Sequence, residues 1–143
     1  MRFWDSSALV PLVVEEERSV ACRLLWRTDR AVVVWTISRT EVVSAVHRVA
    51  RAGRLEKHEI PHALRRLDRL ARGWTEVDAV EVVRERAERL LAVHPLSAAD
   101  AMQLGAALVA VRDRPKGRAL VTADDRLGDA AQAEGFDVLV PTE

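Results

Sequence analysis

The run Ala31-Val32-Val33-Val34-Trp35 places five apolar residues in a row, and it constrains the fold more than any other stretch of the chain. A strand with one face in water alternates apolar and polar side chains, whereas an unbroken apolar run reads as a strand covered on both faces. Coverage of that kind belongs to a parallel sheet held between layers of helices. The remainder of the sequence supplies both partners. Short strands are expected over residues 2–4, 31–35, 74–77, 118–122 and 137–140. Helices are expected over 7–14, 16–27, 38–52, a stretch ending at Arg72, 80–92, 97–112 and 125–134. Ser38 stands where a helix cap is wanted, and Gly53, Gly73 and Gly135 stand where helices should stop. Pro11 fits the first helix only within its first turn. The expected fold class is therefore α/β, a three-layer α/β/α arrangement with a short, mainly parallel sheet of about four to five strands.

With 143 residues the chain can bury one substantial core, and a single domain over 1–143 is expected. Its longest early apolar run, residues 8–14, is far too short to span a bilayer, and neither a basic segment nor a small-residue cleavage site flanks it. A cytoplasmic protein with no membrane partner is expected. The single cysteine, Cys22, excludes an internal disulfide and sits in the apolar company of a core residue.

The net charge of zero hides an asymmetry. Residues 39–72 carry 9 basic and 4 acidic groups, while residues 73–143 carry 8 and 13. That split reads as a basic helical arm beside an acidic body, or simply as solvated helix faces.

In open parallel sheets, ligands bind beyond the carboxyl ends of the strands. Asp5 follows the first strand and Asp124 follows Thr122 at the end of another. Glu41 in "TISRTEVVSAV" and Asp100 in "PLSAADAMQLGAAL" lie in the first turns of helices. Loops after strands and starts of the next helices share one edge of such a sheet. A helix over 98–112 descends about 22 Å at ~1.5 Å per residue, and a five-residue strand climbs roughly 16 Å back, returning Asp124 to the level of Asp100. Each acid alone has an ordinary structural reading: Asp5 and Asp124 could cap helices, and Asp100 and Glu41 could face helix dipoles. Together, four carboxylates at one edge repel one another unless a cation neutralises them, and an all-oxygen set selects Mg²⁺ or Mn²⁺.

The segments "FWDSSALV", "SRTEVVSAV", "LSAADAMQLGAAL" and "ALVTADDRLGDAAQAEGFDVLVP", in this order and spacing, make the sequence resemble the PIN-domain ribonucleases, and within them the VapC-type toxins of toxin–antitoxin pairs. The resemblance covers nearly the whole chain. It implies that Asp5, Glu41, Asp100 and Asp124 hold a divalent metal for RNA cleavage, with Ser7 and Thr122 as hydroxyls arranging the site. Asp124 rather than Asp125 is chosen from its place in Thr-x-Asp. The resemblance also implies an RNA substrate, a homodimer, and a cognate antitoxin lying in a groove beside the site. Helix stripes around residues 43–49 and 64–70 are candidate groove walls, and equally good core. Arg48, Arg51 and Arg54 on the basic arm are candidates for RNA phosphates.

Three other readings compete. His58-Glu59-Ile60-Pro61-His62 fits the zinc-protease pattern literally, but Pro61 disfavours the regular helix that would present both rings together. Asp5 could instead be the nucleophile of a phosphohydrolase, a class that normally wants a second acid where Ser7 stands. A non-catalytic PIN-like module binding RNA or a protein is the third.

Overall fold

The computed structural model describes residues 1–142. One sheet of five strands runs through the molecule: β1 (Arg2–Trp4), β2 (Val32–Trp35), β3 (Thr75–Val77), β4 (Ala119–Val121) and β5 (Asp137–Leu139). Its spatial order is β3-β2-β1-β4-β5, and every neighbouring pair is parallel. The seven helices are α1 (Ser6–Val13), α2 (Ser19–Arg27), α3 (Ser38–Arg51), α4 (Ile60–Ala71), α5 (Val80–Leu91), α6 (Ala98–Ala110) and α7 (Asp125–Glu134), with a 3-10 turn at Lys57–Glu59.

Four residues of the apolar run 31–35 form β2 and all four are buried, whereas Ala31 lies just before the strand and is exposed. Successive side chains point to opposite faces. Val33 and Trp35 join Phe3 and Leu120 beneath α5, α6 and α7, while Val32 and Val34 join Trp4 and Val121 beneath α1, α3 and α4. The molecule thus has two cores with the sheet between them. Trp4 is fully buried in the second, so Trp4→Ala is worth about 3–5 kcal/mol of stability on the usual scale for such truncations. On the other face, a Cβ on Gly105 of α6 would lie 2.9 Å from the Val83 carbonyl oxygen. Only glycine lets α5 approach α6 so closely. Gly135 closes α7 in the left-handed conformation, as its place after the helix suggested.

Order and connection together locate the ligand-binding edge. The chain steps from β1 to β2 to β3 toward one side, then returns to lay β4 against the free side of β1 before continuing to β5. The reversal falls between β1 and β4, and it opens a crevice beyond their carboxyl ends.

Two local expectations are corrected. Pro11 lies inside α1 rather than in its first turn. The helix is short, and the burial of Leu9, Pro11 and Val13 outweighs the one backbone donor that proline lacks. Ser38 is not the cap of α3: Ile37 holds that position without a side-chain hydrogen bond, and the Ser38 hydroxyl is buried against Gln103 instead. The second helix starts three residues later than expected, and the sixth starts one later and ends two earlier. The fourth strand is shorter by one residue at each end, and the third to fifth helices and the second, third and fifth strands are shorter by one residue at one end. Cys22 is buried, and burial pushes its thiol up to about 11. No helix among the described residues is long and apolar enough to cross a membrane.

Candidate metal centre

Four acids line one open pocket of about 340 Å³ at the crevice between β1 and β4: Asp5, Glu41, Asp100 and Asp124. Ser6, Ser7, Thr40, Ser44, Val10, Ala45 and Arg48 complete its wall. Each acid reaches the pocket through a local structural device, so the capping readings and the pocket coexist.

Asp5 is the N-cap of α1 and only 2% exposed. Its backbone N–H donates to the Val121 carbonyl at 3.0 Å, which ties the end of β1 to the end of β4. The Ser7 hydroxyl, the Ser7 backbone N–H (3.3 Å) and the Thr122 hydroxyl (3.0 Å) all donate to Oδ2. Both hydroxyls also accept, Ser7 Oγ from the Ala123 N–H at 2.9 Å and Thr122 Oγ1 from the Asp124 N–H at 3.0 Å. Ser7 and Thr122 therefore stitch the turn after β4 to the carboxylate after β1. Oδ1 takes none of these bonds and is the oxygen available to a ligand.

Asp124 caps α7, accepting from the Leu127 N–H at 2.8 Å, and Asp125 is exposed in the first turn of that helix. Asp100 follows Ser97, the cap of α6, by one turn. Glu41 lies in the first turn of α3. The Nε2 of Gln103, buried on α6, donates to Glu41 Oε1 at 2.6 Å and to Ser38 Oγ at 3.0 Å. Gln103 and Ser6, which also hydrogen-bonds Glu41, are absent from the sequence-predicted set. The signal for Gln103 was present: apart from Asp100 it is the only polar side chain in the apolar helix "AADAMQLGAALVA".

The electrostatics join these residues into one unit. Burial holds the Asp5 carboxyl above its usual range against the hydrogen bonds from Ser7 and Thr122, and the Asp100 charge adds to the rise. Glu41 is raised by its own burial and by Asp5 and Asp100, with the Gln103 and Ser6 bonds opposing. Asp100 is raised by burial and then by Asp124, with Ser97 opposing. No ion pair reaches any of the four among the described residues.

A hard divalent cation suits this donor set: all-oxygen, several carboxylates, one of them with an uncommitted oxygen, and no protein cation competing. The four stand around an open pocket rather than in contact. The trio whose ligand atoms do lie within 4.8 Å of one another among the described residues is elsewhere, Glu56, His58 and Glu59 on the exposed turn before α4. There Glu56 and Glu59 form a capping box and His58 Nδ1 lies 3.2 Å from Glu56. His62 is engaged with Arg65, and Pro61 opens α4, so the protease pattern has no histidine pair facing a pocket.

Arg48 lies on the pocket wall, two turns along α3 from Glu41, while Arg51 and Arg54 are exposed beyond it. Other arginines of the arm are engaged, Arg39 with Asp68 and Arg66 with the Val13 carbonyl. Arg48, Arg51 and Arg54 have no hydrogen bond or ion pair among the described residues.

No curated protein matches the chain. Among solved structures, VapC20 of Mycobacterium tuberculosis, a toxin that cleaves the sarcin–ricin loop, superposes with a TM-score of 0.65 at 19% identity, over 96% of this chain and 97% of its own. PAE2754 from Pyrobaculum aerophilum gives a TM-score of 0.62 at 17% identity, over 97% and 87%. At such identities the likeness is one of fold. The family model for the PIN domain matches residues 2–133, from β1 into α7 and across all four pocket acids, and the chain belongs to the PIN-domain family.

Proposed function

We propose that this protein is a metal-dependent endoribonuclease of the VapC toxin kind, restrained by a cognate antitoxin. One observation carries the reading: four carboxylates share a pocket at the sheet's switch point, three of them (Asp5, Glu41 and Asp100) with raised pKa, and among the described residues no side-chain cation pairs with any of the four. Asp5, Glu41, Asp100 and Asp124 would hold Mg²⁺ or Mn²⁺, which supplies water activation and charge neutralisation at a phosphodiester.

The chain's own residues set the stage for that chemistry. Ser7 and Thr122 fix the Asp5 carboxylate, and Gln103 fixes that of Glu41. The α3 face runs from Glu41 past Ser44 to Arg48 and on toward Arg51. Acid at one end and unpaired arginine at the other suits an RNA strand whose scissile phosphate sits at the acids while its neighbours meet Arg48, Arg51 and Arg54. An antitoxin segment is assigned to the groove between α1, α2 and α4, where Leu12, Trp26 and Leu70 form an apolar floor rimmed by Arg23, Arg27, Arg66 and Arg69. Val46 and Leu67, in the stripes named as groove walls, lie wholly in the core. A homodimer completes the family pattern.

The test is RNA cleavage by purified protein given Mg²⁺ or Mn²⁺. Parent protein cleaves, and Asp5→Asn folds but does not. Cleavage by Asp5→Asn at the parent rate would overturn the site. RNA binding without cleavage by the parent would make the protein a binding module.

A further inference from the structure

We propose that Gln103 is a positioning residue of the metal centre, holding the Glu41 carboxylate in place from the neighbouring helix. The inference deepens the proposed function and rests on its metal site. Gln103 is fully buried on α6, where its neighbours Ala101, Leu104, Ala106, Ala107 and Leu108 are apolar. An amide in such surroundings is costly unless its hydrogen bonds are made, and an apolar side chain of similar volume would fill the same space without that requirement. The two amide protons have two destinations, Glu41 Oε1 at 2.6 Å and Ser38 Oγ at 3.0 Å, both on the first turn of α3. The assignment of nitrogen and oxygen is fixed by chemistry, since an ionised carboxylate only accepts.

The placement explains why the polar residue stands here. Asp100 and Gln103 are three apart and share one face of α6. The helix that carries one acid to the pocket thus also carries the donor that fixes another acid, on α3. Without that donor, Glu41 keeps only the hydroxyl of Ser6 on the pocket wall. Ser38 serves as the second anchor that stops the amide from turning. Partners of this kind, one bond removed from a metal, orient the ligand and are worth about 10–100-fold in metal affinity.

The experiment is Mn²⁺ titration, followed by electron paramagnetic resonance, of the parent, Gln103→Met, Glu41→Gln and the double variant, with thermal melting of each metal-free protein. Gln103→Met keeps the side chain's length and removes both donors. The expected result is a loss of Mn²⁺ affinity of about tenfold or more in Gln103→Met, with no further loss when Glu41→Gln is already present. Should Gln103→Met not fold, Gln103→Asn, which keeps the amide but withdraws it, is expected to weaken Mn²⁺ in the same direction and with the same dependence on Glu41. Unchanged affinity in a folded variant overturns the proposal, as does an equal loss in the Glu41→Gln background, which would mark a merely structural role. A parent that binds no Mn²⁺ overturns the metal site itself, and the proposal with it.

Discussion

Two clusters of metal-ligating side chains in this protein invite comparison, and the tighter one is the weaker candidate. Glu56, His58 and Glu59 bring ligand atoms within 4.8 Å of one another, yet they are exposed and occupied with each other. Their arrangement is what a capping box and a neighbouring imidazole produce unaided. Asp5, Glu41, Asp100 and Asp124 stand farther apart, but they are buried or half-buried, the pKa of Asp5, Glu41 and Asp100 is raised by burial and by neighbouring acids, and none of the four forms an ion pair among the described residues. The difference teaches that proximity alone does not mark a metal site. Carboxylates held in a crevice by backbone and hydroxyl groups, with no ion pair among the described residues to offset the cost of burying them, make the stronger proposal.

The largest expected contrast between the clusters is in activity. Glu41→Gln is expected to lower RNA cleavage by about a thousandfold or more, the several kcal/mol that metal-held charge is worth. Glu56→Gln and His58→Ala are expected to leave the rate at the parent's, measured on the same RNA under the same Mn²⁺. A large loss in the second pair would move the site to the turn before α4.

Next in size is the thermal response to metal. Mn²⁺ at about 100 times its dissociation constant should stabilise the parent by ~2.7 kcal/mol, read as a rise in Tm that a chelator reverses. His58→Ala should keep that rise and Asp124→Asn should lose most of it.

A smaller effect concerns the metal-free protein. A carboxyl whose folded-state pKa is raised favours folding below its unfolded value, and that contribution is lost as pH climbs through the raised value. Once ionised, Asp5 therefore opposes folding, with burial as the main cause. Asp5→Asn keeps the acceptor that caps α1 and removes the charge. It should raise the Tm of chelator-treated protein at pH 7, with the gain shrinking as pH falls into the carboxylate range. The smallest effect is at the exposed turn, where His58→Ala should change stability by no more than about 0.5 kcal/mol at any pH between these limits.

The layered fold was legible in the sequence because burial on both faces leaves an unbroken apolar run, and because strands and helices differ in period. The ends of elements were not, since they are set by neighbours. Pro11 sits inside α1 because tertiary burial outweighs a lost donor, and no local rule foretells that. Ser38 was read as a cap from its position, but its hydroxyl is taken by Gln103, 65 residues away. The four pocket acids could be named from their places after strands and in first helical turns, since one edge of a parallel sheet collects all such places. Gln103 could not be given a role in the same way. Its chemistry lies in a contact between α3 and α6, visible beforehand only as one polar residue in an apolar helix.

The central claim is that the pocket acids hold a divalent cation with which the protein cuts RNA. It is tested most directly by following RNA cleavage by chelator-treated protein before and after Mn²⁺ is restored, beside Asp100→Asn handled identically. The account predicts cleavage by the parent only once the metal is present, and none by Asp100→Asn at any Mn²⁺ concentration that saturates the parent. Cleavage by the chelated parent, or by Asp100→Asn at the parent's rate, would contradict it.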